Sequence, residues 1–147
     1  MPTYRATREL LARPDEVWAV LAEPNHLAEW WPGIRAVQPD RRGLAPGARW
    51  RIQMQGRTNA IVGRRPDVTG MLVFLEVRRP ELATWQFVDG KVDVELRLSE
   101  SGRDRTRVEL IVSASFLGGL SRSLPQKALS RFQTLCQAAA QAQTGLS

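Results

Sequence analysis

Acid–base and nucleophilic chemistry needs polar side chains held together in a sheltered place with shifted proton affinities. This chain offers few of them. It carries one histidine, His26, and one cysteine, Cys136. His26 lies between Asn25 and Leu27 on a short helical stretch, where it is expected to face water without a partner. Cys136 follows Leu135 near a helical apolar stripe and reads as a small buried hydrophobe rather than a nucleophile. Glu76, Asp93 and Glu95 stand on the outward faces of alternating segments. With one histidine and one cysteine there is no cluster of soft metal ligands, so neither a metal nor a cofactor is expected. The phosphate-cradling patterns GxGxxG and GxxxxGK[ST] are both absent from the sequence. Asn59, Thr84 and Ser113 are the polar groups that can enter an interior, and a one-residue slip would swap their faces. No convergent pair emerges and no catalytic residue is assigned.

The elements that must position any site follow from periodicity and punctuation. Thr3 to Leu11 reads as a first strand. Pro14, in a first-turn position, with Asp15 and Glu16 beside it, opens a helix whose apolar face is Val17, Trp18, Val20 and Leu21. A second short helix starts at Pro24 and runs to Trp30 or Trp31, where Pro32 and Gly33 stop it. Strands follow at Ile34 to Gln38, Ala48 to Gln55, Met71 to Arg78, Leu82 to Val88, Val92 to Leu98 and Thr106 to Ser115. Gly56 to Gly70 is ambiguous, with a reversal near Arg64 to Asp67, and Asp89-Gly90 marks a hairpin. In Met71 to Arg78, Val73, Leu75 and Val77 are placed inward, because the other parity would bury Glu76 alone. Gly118 and Gly119 break the sheet, and Ser121 or Ser123 caps a final helix to about Gln143. Its apolar stripe is Leu124, Ala128, Phe132, Leu135 and Ala139.

At 147 residues and 16.5 kDa the chain is expected to form one domain over residues 1–147. The apolar runs Val17 to Ala22 and Met71 to Leu75 are far too short to span a membrane, and MPTYRATREL has no hydrophobic signal core. A soluble, cytoplasmic protein is expected. The net charge is +6, and from Arg35 to Arg65 eight arginines face a single acid, Asp40. Such a patch can attract phosphates. Because the 21 basic residues include only two lysines, Lys91 and Lys127, the patch reads instead as arginine-rich surface. No interleaved exposed aromatics accompany it, and a nucleic-acid partner is not expected.

The element order, with PDEVWAVLAEPNHLAEWWPGI near the start, resembles the START-like helix-grip superfamily (SRPBCC), and within it the polyketide cyclase/dehydrase and lipid-transport group. The resemblance spans nearly the whole chain. It rests on Pro14, Val17, Trp18, Leu21, Trp30, Trp31 and Pro32, then Trp85, the Asp89-Gly90 hairpin and the Gly118-Gly119 approach to the last helix. It implies an α+β helix-grip fold: a curved antiparallel sheet of six to seven strands wrapped around a long C-terminal helix, with two short helices after the first strand. It also implies a deep apolar cavity between sheet and helix. Read through that fold, the candidate cavity walls are Trp50, Ile52, Met54, Val73, Leu75, Trp85, Phe87, Val94, Leu96, Val112, Leu124, Ala128 and Phe132. Trp30 and Trp31 stand at the mouth, one packing inward and the other lining or gating the entrance.

The expected function is binding or transport of a hydrophobic small molecule such as a lipid, quinone or polyketide-like aromatic. Two alternatives stay open: a cyclase or dehydratase without metal or nucleotide cofactor, and an interaction module like the chaperone-ATPase activators on the same scaffold. A homodimer is a further possibility.

Overall fold

A computed structural model describes residues 3–55, 58–59, 63–64, 68–114 and 122–145. Seven strands form one antiparallel sheet: β1 (Thr3–Leu10), β2 (Ile34–Gln38), β3 (Arg49–Met54), β6 (Val68–Arg78), β7 (Leu82–Phe87), β8 (Val92–Gly102) and β9 (Arg105–Ala114). Their spatial order is β1-β9-β8-β7-β6-β3-β2. The separate pair β4 (Thr58–Asn59) and β5 (Gly63–Arg64) makes a two-stranded ladder of its own. Arg64 therefore lies in that ladder, while the rest of the reversal expected near Arg64 to Asp67 lies outside the described residues. So do Gly118, Gly119 and Ser121.

Between β1 and β2 come helix α1 (Pro14–Ala22), a 3-10 turn (Pro24–His26) and the one-turn helix α2 (Leu27–Trp30). At the start of α1 the Glu16 carboxylate accepts the Arg13 amide at 2.9 Å, one arm of a capping box. Val17, Trp18, Val20 and Leu21 are buried, the face expected from their spacing. Helix α3 (Leu124–Gly145) begins after Ser123, whose carbonyl accepts the Lys127 amide, and packs on β1, α1 and α2. Its buried face is Ala128, Leu129, Phe132, Cys136 and Ala140. Leu124, Leu135 and Ala139 are only partly buried, so the stripe lies slightly rotated from the expected one.

One strand departs from the expected parity. On β6 the buried residues are Gly70, Leu72 and Phe74, while Leu75 is 56% exposed and Val73 points outward, half-buried. The inward placement of Val73 and Leu75 is thus corrected. The reason is a β-bulge: Phe74 pairs with Trp85 and Glu76 with Thr84, leaving Leu75 as the extra residue. The bulge puts two consecutive side chains, Leu75 and Glu76, outside, and returns Val77 to the inner face against the core. Avoiding a buried Glu76 did not require Leu72 and Phe74 to face out.

The Asp89-Gly90 reversal is present as a four-residue connection, since Phe87 pairs with Val92. Lys91, not the glycine, adopts the left-handed conformation there, with φ 50°. The Asp89 carboxylate reaches back to accept the Met71 amide at 2.9 Å. A Cβ on Gly70 would approach that carboxylate oxygen to 2.9 Å, so the strand needs a glycine at this point.

Candidate functional site

Seven aromatic rings meet between the sheet and α3, and each is placed by a simple local rule. Trp85 and Phe87 are two apart on β7 and share its inner face, as Trp50 does on β3 and Phe74 on β6. Phe132 sits on the buried stripe of α3. Trp30 is the last residue of α2, and Trp31 follows in extended conformation, so the chain direction changes between them and both rings turn inward. Gly33, at φ 89°, completes the exit toward β2.

The rings touch in a continuous row. Trp30 packs on Phe132 with centroids 4.7 Å apart and on Trp31 at 5.5 Å, edge to face. Trp31 reaches Phe87 at 5.2 Å and Trp85 at 6.1 Å. Trp85 meets Trp30 at 6.3 Å and Phe74 at 5.8 Å, and Phe74 meets Trp50 at 4.7 Å. Such pairs contribute about 0.5–1.5 kcal/mol each beyond the area they bury. Trp30, Trp31, Trp50, Trp85, Phe87 and Phe132 are all buried. Neither Trp30 nor Trp31 is open to solvent: they are 1% and 4% exposed.

The other expected wall residues sort by depth. Ile52, Val94, Leu96, Val112 and Ala128 are buried, and Met54 and Leu124 are partly buried at the margin of the core. Leu72, Phe74 and Leu129 join the interior without having been expected there. No single-strand signal marks Leu72 and Phe74, because the bulge between Phe74 and Glu76 depends on Thr84 of β7. All inward side chains of β3, β6, β7 and β8 that are buried are apolar.

The polar candidates lie elsewhere. Thr84 is on the outer face, where its hydroxyl accepts the Glu76 amide freed by the bulge, at 3.0 Å. Ser113 shares a hydrogen bond with Thr3 at the exposed sheet margin. Asn59 pairs with Gly63, and its side chain lies outside the described residues. His26 does not simply face water: it is half-buried, and its Nδ1 lies 2.9 Å from the Val20 carbonyl. A carbonyl can only accept, so Nδ1 carries the proton and caps an otherwise unpaired C-terminal carbonyl of α1. Burial pushes the Cys136 thiol well above its ordinary value, which keeps it protonated and inert. Glu95 takes a forked hydrogen bond from the exposed Arg97 guanidinium, which raises the arginine further. Among the described residues no group of three or more His, Cys, Asp or Glu side chains is placed to hold a metal ion.

Two further features complete the electrostatics. The Asp40 carboxylate accepts the amides of Arg49 and Arg42, and these bonds hold it below the usual carboxylate range. That loop also presents the Gly43 carbonyl, which accepts the Trp50 indole proton at 3.0 Å. Trp85 differs: its Nε1 is buried, and no acceptor among the described residues reaches it.

Clefts open away from the aromatic row. One of about 730 Å³ is lined by Pro14, Pro80, Leu82 and Leu98 together with Arg78, Arg97, Arg107, Glu81, Glu100 and Glu109. Another, of about 410 Å³, lies between α1 and the 44–46 loop, against Trp18 and Val77. A third, of about 280 Å³ around Leu75, Thr84 and Ile111, is on the outer face of the sheet.

A sheet gripping one long helix, with an aromatic interior between them, defines a helix-grip protein. The family model for polyketide cyclase/dehydrase and lipid transport matches residues 1–142, and the chain belongs to that family. No curated protein sequence matches it. Among solved structures it is similar to a Deinococcus radiodurans protein, with a TM-score of 0.67 and 14% identity over 96% of this chain and 99% of that one. It is also similar to the Aha1 dimer of Colwellia psychrerythraea, with a TM-score of 0.62 and 14% identity over 95% and 97% of the two chains. The AHSA1-like protein of Aeromonas hydrophila gives a TM-score of 0.62 and 16% identity over 97% and 95%. At these identities the likeness is one of fold. Among the described residues no helix is long and apolar enough to cross a membrane.

Proposed function

We propose that the chain acts as a single unit that binds a flat, apolar small molecule among the rings between the sheet and α3, and holds it without transforming it. The observation that carries this reading is the connected row of seven rings, four on inner strand faces whose buried side chains are all apolar and three, Trp30, Trp31 and Phe132, from the helical side. Aromatic and aliphatic walls suit a hydrophobic ligand, while acid–base catalysis would need polar groups converging there. Because the rings already touch one another, a ligand enters by taking the place of ring–ring contacts. Trp31 is best placed to yield: its backbone is extended, and the helix before it is a single turn. The test is titration with 1-aminoanthracene, read through quenching of tryptophan fluorescence. Saturable, stoichiometric quenching at micromolar probe is expected; quenching that never saturates would overturn the reading.

A second reading, an interaction module, is favoured by the outer face of β6, where Leu75 is 56% exposed beside half-buried Met71 and Val73. Apolar side chains grouped on a strand face mark a contact surface more often than isolated ones do. The Colwellia relative is a dimer, and a second copy of this chain is the partner proposed here. Sedimentation equilibrium tests it: a dimer that Leu75→Glu dissociates supports the reading, and a monomer at every concentration removes it.

A further inference from the structure

We infer that the ligand carries a neutral carbonyl oxygen, as in an aryl ketone or quinone, and that the Trp85 indole N–H is the donor that fixes its position. This rests on the ligand-binding reading above.

Trp85 is 1% exposed, and its ring lies against Trp30, Trp31 and Phe74. An indole nitrogen is a donor only, and a buried N–H without an acceptor is strongly disfavoured, so buried tryptophans nearly always find one. Trp50, just as deeply buried on the same sheet, does so through Gly43. For Trp85 no acceptor among the described residues is within reach. The neighbouring π faces compensate a donor only weakly. A phenylalanine at position 85 would fill an apolar core without leaving such a group, so packing alone does not explain an indole here. A ligand oxygen would satisfy it.

The surroundings narrow the class. Rings on three sides favour a flat aromatic body. The buried side chains on the inner faces of β3, β6, β7 and β8 include no cation, so a carboxylate or phosphate would enter uncompensated; the acceptor is therefore uncharged. The other buried nitrogen without a partner among the described residues, Arg8 Nε, belongs to a half-buried guanidinium already anchored through Nη1 to Gln133 at 2.7 Å, on the β1 side of the helix. It is not needed for this site.

The experiment compares 2-acetylnaphthalene with 2-ethylnaphthalene, nearly equal in size and differing in the carbonyl. Both are titrated into ¹⁵N-labelled protein while the indole N–H resonances are followed by NMR. The ketone is expected to bind about five- to tenfold more tightly and to move the Trp85 indole proton downfield, whereas the hydrocarbon leaves that proton near its starting position. In Trp85→Phe the two probes are expected to bind alike, at the hydrocarbon's affinity for the unmodified protein. Trp18→Phe, on α1 and outside the row of rings, is the control and is expected to keep the preference. Equal binding of both probes to the unmodified protein, with the Trp85 proton unmoved, would overturn the carbonyl inference and leave ligand binding standing. Binding of neither probe would overturn ligand binding, and this inference with it. If Trp85→Phe does not fold, the shift and the affinity ratio in the unmodified protein decide alone.

Discussion

At one end of the aromatic row Trp50 lies beneath the loop between β2 and β3 and gives its indole proton to Gly43; at the middle of the row Trp85 packs on Phe74, Trp30 and Trp31 and gives its proton to no acceptor among the described residues. Both are on inner strand faces and both are 1% exposed. The same side chain is a closed structural strut in one place and an open polar valence in the other. Burial alone does not separate the two roles. The hydrogen-bond inventory does, because a satisfied donor has finished its work on folding and an unsatisfied one has not.

The most drastic way to break the comparison is Phe132→Ala. Phe132 is fully buried and holds α3 against Trp30, so its removal should cost about 3–5 kcal/mol in urea unfolding and loosen Trp30 and, through it, Trp85. A loss below about 1 kcal/mol would mean that the rings do not form a packed core. A sharper test pairs Trp50→Phe with Trp85→Phe. Both delete the same atoms, but only the first leaves a carbonyl, that of Gly43, without its donor. Trp50→Phe should therefore be the more destabilising of the two by about 1–2 kcal/mol, and equal losses would erase the distinction.

Acid supplies a gentler test. The Asp40 carboxyl is held low chiefly by the Arg49 amide, so its contribution is complete above the ordinary carboxylate pKa of about 3.9 and is lost as pH falls through the lower native value. Acidification below about pH 3.9 should thus loosen the loop that carries Gly43, shifting Trp50 emission before Trp85 responds, and Asp40→Asn should remove that early step. A simultaneous change at both tryptophans would count against the loop's role. The smallest effect is expected at Cys136, one turn along α3 from Phe132: thiol labelling of the folded protein should be negligible, with a rate that follows unfolding. Fast labelling under native conditions would show that α3 lifts from the sheet.

Much of this architecture was legible in residue patterns. Alternation in Val92 to Leu98 and in Thr106 to Ser115, the prolines at 14 and 24, and the Trp-Trp-Pro-Gly corner locate the strands and short helices within a few residues. What escaped was whatever depends on partners distant in sequence. The β6 bulge is stabilised by Thr84 on the next strand, so a single-strand argument at Glu76 could not see it. The rotation of α3 toward Leu129 and Cys136 follows from how it settles on β1. Filling of the interior escaped for the same reason: whether Trp30 and Trp31 both turn inward depends on the depth at which Phe132 meets them. The unpaired indole proton at Trp85 has no sequence signal, because a hydrogen bond that is not made leaves no pattern.

The pairing of β1 with β9, from Thr3 opposite Ser113 to Leu10 opposite Thr106, sets an order of events during synthesis. The first strand leaves the ribosome about a hundred residues before its partner does, a wait of roughly 5–20 s at ordinary elongation rates. Throughout that interval it has no neighbour to satisfy its backbone, and α3, which packs over it, has not yet been made. The rings from positions 30 to 132 are likewise delivered piecemeal. Closure of the sheet, seating of the helix and assembly of the aromatic row therefore fall together once β9 and α3 have been made, when the long-range contacts of these elements form in one late step.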